Sequence, residues 1–183
     1  LPRRGVLANP RVANAALVVG GALFVALCAQ IRIPLPFTPI PFTGQTLGVL
    51  LAGSLLGTQL GLLSLILYLA MGLGGLPFFA GGNAGIEILY GGTVGYLVGF
   101  PFAAALVGYL SERGWDRRFG TMAFSMVLGN VVIYLFGVAW LSLSLGLPTA
   151  ILTGVVPFIL GDIIKMVIAG VALPSGWRLL GKR

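Results

Sequence analysis

The sequence predicts an all-α integral membrane protein, a bundle of six transmembrane helices with N- and C-termini cytoplasmic. Three observations point there. The chain is 58% hydrophobic and only 8% charged, whereas water-soluble domains carry about 25% charged residues. Its mean hydropathy is +1.06. Its basic residues, Lys165 excepted, gather beside the ends of apolar runs rather than inside them. A hydrocarbon core of roughly 30 Å takes about 20 helical residues, so about five to seven spans exhaust the chain. Residues 1–183 therefore form one compact domain.

The first apolar run predicts a helix over 14–31. It is long for the apolar core of a signal peptide, and Leu27 stands where a lipoprotein site needs a small residue before Cys28, so it is read as a retained helix. RIPLPFTPIPFT follows, with Pro34, Pro36, Pro39 and Pro41. Proline at this density fixes φ and removes amide donors, which predicts an extended segment. Two short helices over 44–56 and 59–73 are divided near Gly57 and Thr58. Glycines, Asn83 and Glu87 then break the apolar pattern in LPFFAGGNAGIEILYGGT. Helices over 94–110, 121–143 and 149–171 complete the six, with SERGWDRRFG between the fourth and fifth.

Charge placement sets the orientation. Arg3, Arg4 and Arg11 precede the first span, Arg113, Arg117 and Arg118 share one loop, and Arg178, Lys182 and Arg183 follow the last span. Six spans with cytoplasmic termini put all these clusters on the cytoplasmic side. The formal charge of +7 thus reports topology and membrane contact rather than nucleic-acid binding. The proline loop and the glycine-rich loop fall together outside. Irregular backbone at membrane depth is tolerated where protein or a water-filled cavity covers it, so the pair predicts a site closed from the outside.

Of eleven Lys and Arg and four Asp and Glu, only Asp162 and Lys165 lie within a predicted span. An ionisable group at bilayer depth costs roughly 2.5–3.5 kcal/mol on insertion scales. Their i, i+3 spacing puts both on one helix face, and Pro157 and Gly161 before them predict a bend that opens room. They are the leading candidates for ligand contact; a purely structural ion pair is the competing reading. Small residues at four-residue spacing, Ala22 with Ala26 and Gly91, Gly95 and Gly99, allow close helix approach.

Catalysis has little to work with. One cysteine, Cys28, and no histidine leave no Ser–His or Cys–His pair, no disulfide within the chain and no Cys/His metal site. Asp162 is the only acid in a span, so no aspartyl dyad forms. GWRLLGKR, with Gly176, Gly181 and Lys182, approaches a nucleotide-binding loop, but Arg183 stands where Ser or Thr is needed. From the residues alone the ligand is a small anionic or polar solute, and a membrane enzyme or a structural subunit are the rival classes.

PFTPIPFTGQTLGVLLAGSLLG, LPFFAGG, GGTVGYLVGF and VPFILGDIIK resemble the BioY family over nearly the whole chain, in the expected order. These are the biotin-specific S components of energy-coupling factor (ECF) transporters. The resemblance implies biotin as transported ligand, no cofactor, and partners in one transmembrane coupling subunit and two ATPase subunits. A solitary biotin facilitator working without an ATPase module is the alternative, with a homo-oligomer left open. It implies ligand contact by Asp162 and Lys165, and Asn83 matches an Asn of the loop before the fourth helix. An Arg found late in that loop in related chains is absent from EILYGGT, where Tyr90 is the candidate replacement. Gln45, Phe37 and Phe79 join the ligand-binding candidates, the aromatics as a wall for the apolar chain and thioether ring. A carboxylate can accept from the ureido N–H groups and an Asn amide can donate to the ureido carbonyl, while Lys165 is expected to meet the valerate carboxylate. Ala22 and Ala26 match the small-residue face that S components present to the coupling subunit.

Overall fold

A computed structural model describes residues 9–179 and builds them almost wholly from helix. Among the described residues six α-helices run in order: α1 Pro10–Gln30, α2 Gln45–Leu73, α3 Val94–Glu112, α4 Phe119–Leu145, α5 Leu147–Gly154 and α6 Ile159–Leu179. Five stretches are long and apolar enough to cross a membrane, with α5 and α6 counted as one. Leu27, Leu135, Leu143, Leu160 and Ile164 point outward from them, as a lipid-facing surface requires. Arg3, Arg4, Gly181, Lys182 and Arg183 lie outside the described residues. Asn9 caps α1 by accepting from the Arg11 amide at 3.0 Å, and Pro10 occupies the first turn, where its missing amide costs nothing.

The expected division at Gly57 falls inside α2. Gly57 has φ 81° and ψ −177°, a backbone state open to glycine and costly for other residues. There the chain doubles back. Gln45 Nε2 donates to the Tyr68 hydroxyl at 2.7 Å, although one straight helix would hold them roughly 35 Å apart. Glu112 accepts from the Thr58 amide at 2.7 Å and the Thr58 hydroxyl at 2.8 Å. A carboxylate at the start of the returning limb takes up an orphan amide and meets the positive end of its dipole. The two limbs, 45–56 and 58–73, are roughly 18 and 24 Å long.

Contacts between distant segments sort to two ends of the bundle. At one end lie Thr58 with Glu112, and Trp177, whose indole N–H donates to Asp116. At the other, Gln30 donates to the Pro77 carbonyl at 3.3 Å and Trp140 to the Gly91 carbonyl at 3.1 Å. Between them the core is filled by Leu50, Leu65, Tyr68, Phe79, Met122 and Met126. Gly95 and Gly99 pack α3 against α4: a Cβ at 95 would stand 2.3 Å from the Phe136 carbonyl.

Ala22 and Ala26 correct an expectation. They are 0% and 6% exposed, on the side of α1 that carries Gly21, whose Cβ would meet Ser64 of α2 at 2.5 Å. Small residues there let the chain's own helices approach, and in this chain the pair is enclosed by the bundle rather than exposed as the expected partner face would be.

The last predicted span is broken as its proline suggested. α5 ends at Gly154, Val156–Phe158 makes a tight turn, and α6 begins at Ile159. The proline loop is non-helical, as expected, but it is not one extended segment: it turns at 36–37 and folds back to close a two-residue antiparallel ladder in which Arg32 pairs with Thr43 and Ile33 with Phe42.

Candidate functional site

Proline in a helix leaves the carbonyl four residues earlier without an amide partner. Pro157 does this to Thr153, whose carbonyl accepts from the Thr38 hydroxyl at 2.7 Å. Phe158 turns its amide to Val155 at 2.9 Å, which frees the Gly154 carbonyl for the Tyr96 hydroxyl at 2.9 Å. Two side chains from other segments thus hold the break open. One turn later α6 presents Asp162 and Lys165.

Both are buried, 4% and 8% exposed, and neither stands alone. Lys165 Nζ lies 3.2 Å from Asp162 Oδ1 and donates to Thr46 Oγ1 at 2.7 Å. The Tyr134 hydroxyl donates to Asp162 Oδ2. The Lys165 ammonium also sits 4.4 Å from the centre of the Phe42 ring, where the ring's negative face attracts it. Phe42 reaches that place because residue 161 is glycine: a Cβ there would stand 2.0 Å from the ring. Burying either charge alone would be strongly unfavourable; the pair is tolerated because each ion is matched and further hydrogen-bonded.

This cluster opens on a cavity of about 230 Å³ between the proline loop, the glycine-rich loop and the helices. Asp162, Lys165, Gln45, Asn83 and Phe79 all line it, as do Thr46, Tyr134 and Arg32. Gln45 is held by Tyr68 and accepts from the Thr43 hydroxyl at 3.1 Å. Asn83, at the exposed rim, donates to the Ala80 carbonyl at 3.0 Å. Pro39, Ile40 and Pro41 of the proline loop close one side.

Two of the expected residues are placed elsewhere. Tyr90 is 88% exposed and Phe37 65% exposed, and neither lines the cavity. Aromatic content alone does not say which way a ring in a loop will point. Conversely, Tyr134, Thr46 and Arg32 were not singled out from the sequence. Tyr134 sits in a continuous apolar run, and only its angular position on α4 brings it to Asp162. Arg32, beside the first span, reads as one more flanking basic residue.

The fold and site define an all-helical bundle with lipid-compatible walls and, under two loops, a largely apolar cavity that carries a few charged and polar groups, a solute-binding protein of the membrane. The chain belongs to the BioY family, whose model matches residues 4–182. It is 40% identical to a biotin transporter BioY of Rhizobium etli over 88% of this chain and 92% of that one. It is 36% identical to a biotin transporter BioY of Thermotoga maritima, over 84% and 90%. Among solved structures it is similar to the S-component for biotin from an ECF-type ABC transporter, with TM-score 0.81, 28% identity and 93% of each chain covered. The family is one of transporters, not enzymes, and the chain is a multi-pass cell-membrane protein.

Proposed function

We propose that this chain binds biotin and mediates its uptake across the cell membrane as the substrate-specific subunit of an ECF-type transporter. The observation that carries the reading is the buried Asp162–Lys165 pair facing a cavity in a chain of the BioY family. A cyclic urea presents N–H donors beside a carbonyl acceptor. A carboxylate and an ammonium held side by side offer the complementary acceptor and donor. Asp162 would accept from a ureido N–H and Lys165 donate to the ureido oxygen. This departs from the expectation that Lys165 meets the valerate carboxylate, because Asp162 already answers the lysine's charge. Gln45 and Asn83 would add polar contacts, and Phe79, Phe100 and Phe158 apolar walls for the rings and chain.

The membrane arrangement follows from the reversal at Gly57. Counting the limbs of α2 as two crossings gives six spans, with Gly57, the 113–118 loop and both termini in the cytoplasm. The cavity then faces outside. Supporting this, the segments assigned to one side are those in contact at one end of the bundle: Thr58 with Glu112, and Asp116 with Trp177. The partner module would comprise one transmembrane coupling subunit and two ATPases, and uptake would proceed by rigid-body reorientation of the bundle. The small-residue face for that partner would lie on the exposed side of α1, where Ala16 and Gly20 stand, rather than at Ala22 and Ala26.

The test is uptake of labelled biotin by cells lacking their own transporter, expressing this chain with or without an ECF module. Uptake that needs the module supports the reading. Equal uptake without it identifies a solitary facilitator, and none in either case rejects biotin transport.

A further inference from the structure

Three charged side chains line the cavity: Asp162, Lys165 and Arg32. The first two neutralise one another at 3.2 Å. Arg32 has no carboxylate partner among the described residues, so it leaves the lining with one unanswered positive charge. Its backbone is fixed by the ladder with Thr43, the residue that also hydrogen-bonds Gln45 inside the cavity. Its side chain crosses to the glycine-rich loop and lies on Gly81. There Nη1 and Cδ come within 2.7 and 2.8 Å of where a Cβ would stand. Residue 81 has φ +73°, so both its conformation and the space above it suit glycine. The guanidinium is thereby brought to the exposed rim beside Ala80 and Asn83, while the Asp162 cluster is buried.

We propose that Arg32 is the carboxylate-binding residue of this site, and so sets its preference for an acid over a neutral derivative. This rests on the biotin reading above. A planar guanidinium offers paired N–H donors that match a carboxylate edge, and it stays charged at any physiological pH. A ligand with a cyclic urea at one end and an acid at the other would meet the buried ion pair with the first and Arg32 with the second. Tyr90, the other candidate expected for this end of the ligand, is 88% exposed and does not line the cavity. The proline loop supplies the cation instead.

The experiment compares biotin and biotinamide binding, by calorimetric titration, to the purified full chain and to its Arg32→Gln and Arg32→Lys variants. Arg32→Gln is expected to weaken biotin by on the order of tenfold, the scale of one exposed charge-assisted contact. Biotinamide should stay within about twofold across all three proteins, which also shows that the variants are folded. Arg32→Lys should recover part of the loss. Unchanged biotin affinity in Arg32→Gln overturns the assignment while leaving the biotin reading intact, as does an equal loss for acid and amide. Wild-type protein that binds neither ligand overturns both.

Discussion

The hydroxyl of Thr38, in the middle of the proline loop, donates to the carbonyl of Thr153, the group that Pro157 leaves without a helical partner. The break in the last membrane segment and the loop over the cavity are therefore one mechanical unit. Removing the hydroxyl leaves a part-buried carbonyl unsatisfied and the loop untethered. Thr38→Val should cost about 1 kcal/mol, a roughly fivefold loss of biotin affinity appearing mainly as faster release. Stopped-flow dissociation measures this. Spin labels on the loop should become less mobile when biotin binds to wild type; unchanged mobility at saturation would remove the loop's role as a lid.

Tyr134 holds Asp162 from the far side of Lys165. Tyr134→Phe keeps the ring against Tyr96, with which it makes an edge-to-face contact at 6.4 Å between centroids, and deletes only the hydroxyl. Hydrogen bonds to charged groups are worth about 1.5–3 kcal/mol, so thermal stability should fall moderately, and biotin affinity should fall roughly 10-fold or more as Asp162 loses the partner that holds it. A large fall in melting temperature with wild-type affinity would make Tyr134 a packing residue.

The two sides of α1 should respond differently to bulk. Ala22→Trp and Ala26→Trp force a large ring into a filled interior, and overpacking costs typically about 1–3 kcal/mol; folded yield and binding should fall together. Ala16 and Gly20 are exposed, and nothing lies within 4 Å of a Cβ at 20, so Ala16→Trp and Gly20→Trp add bulk outside the packed interior. They should bind biotin normally and lose module-dependent uptake. Normal uptake in both would move the partner face off α1.

Cysteines placed singly at Trp115 and Leu147, in a chain whose Cys28 is replaced, report the orientation. Membrane-impermeant reagent added outside should label position 147 and spare 115. Labelling of both from the same side would contradict six crossings.

The sequence made the spans legible because hydropathy and the scarcity of charge act over whole segments. It made Asp162 and Lys165 legible because a charge inside such a segment is costly wherever it points. The turn at Gly57 was visible as a glycine dividing two short apolar runs. What stayed hidden depends on rotation about a helix axis or on the path of a loop. Tyr134 and Thr46 differ from lipid-facing or packing residues only by the direction in which α4 and α2 carry them. Ala22 and Ala26 have the same spacing whether the neighbour is this chain or another. Arg32 enters the cavity because the proline loop folds back as a ladder, a register that no local pattern in RIPLPFTPIPFT specifies.

The central claim, that the Asp162–Lys165 pair binds the ureido end of biotin, is tested most directly by titrating biotin and biotinamide into wild type, Asp162→Asn and Lys165→Met. Wild type should bind biotin saturably, one per chain. Each substitution removes one partner of a buried pair at a cost of about 3–5 kcal/mol, so biotin and biotinamide should both weaken by roughly 100- to 1,000-fold or more, and by equal factors. Wild-type affinity in Asp162→Asn would contradict the account. So would a Lys165→Met protein that loses the acid but keeps the amide, since the lysine would then hold the carboxylate.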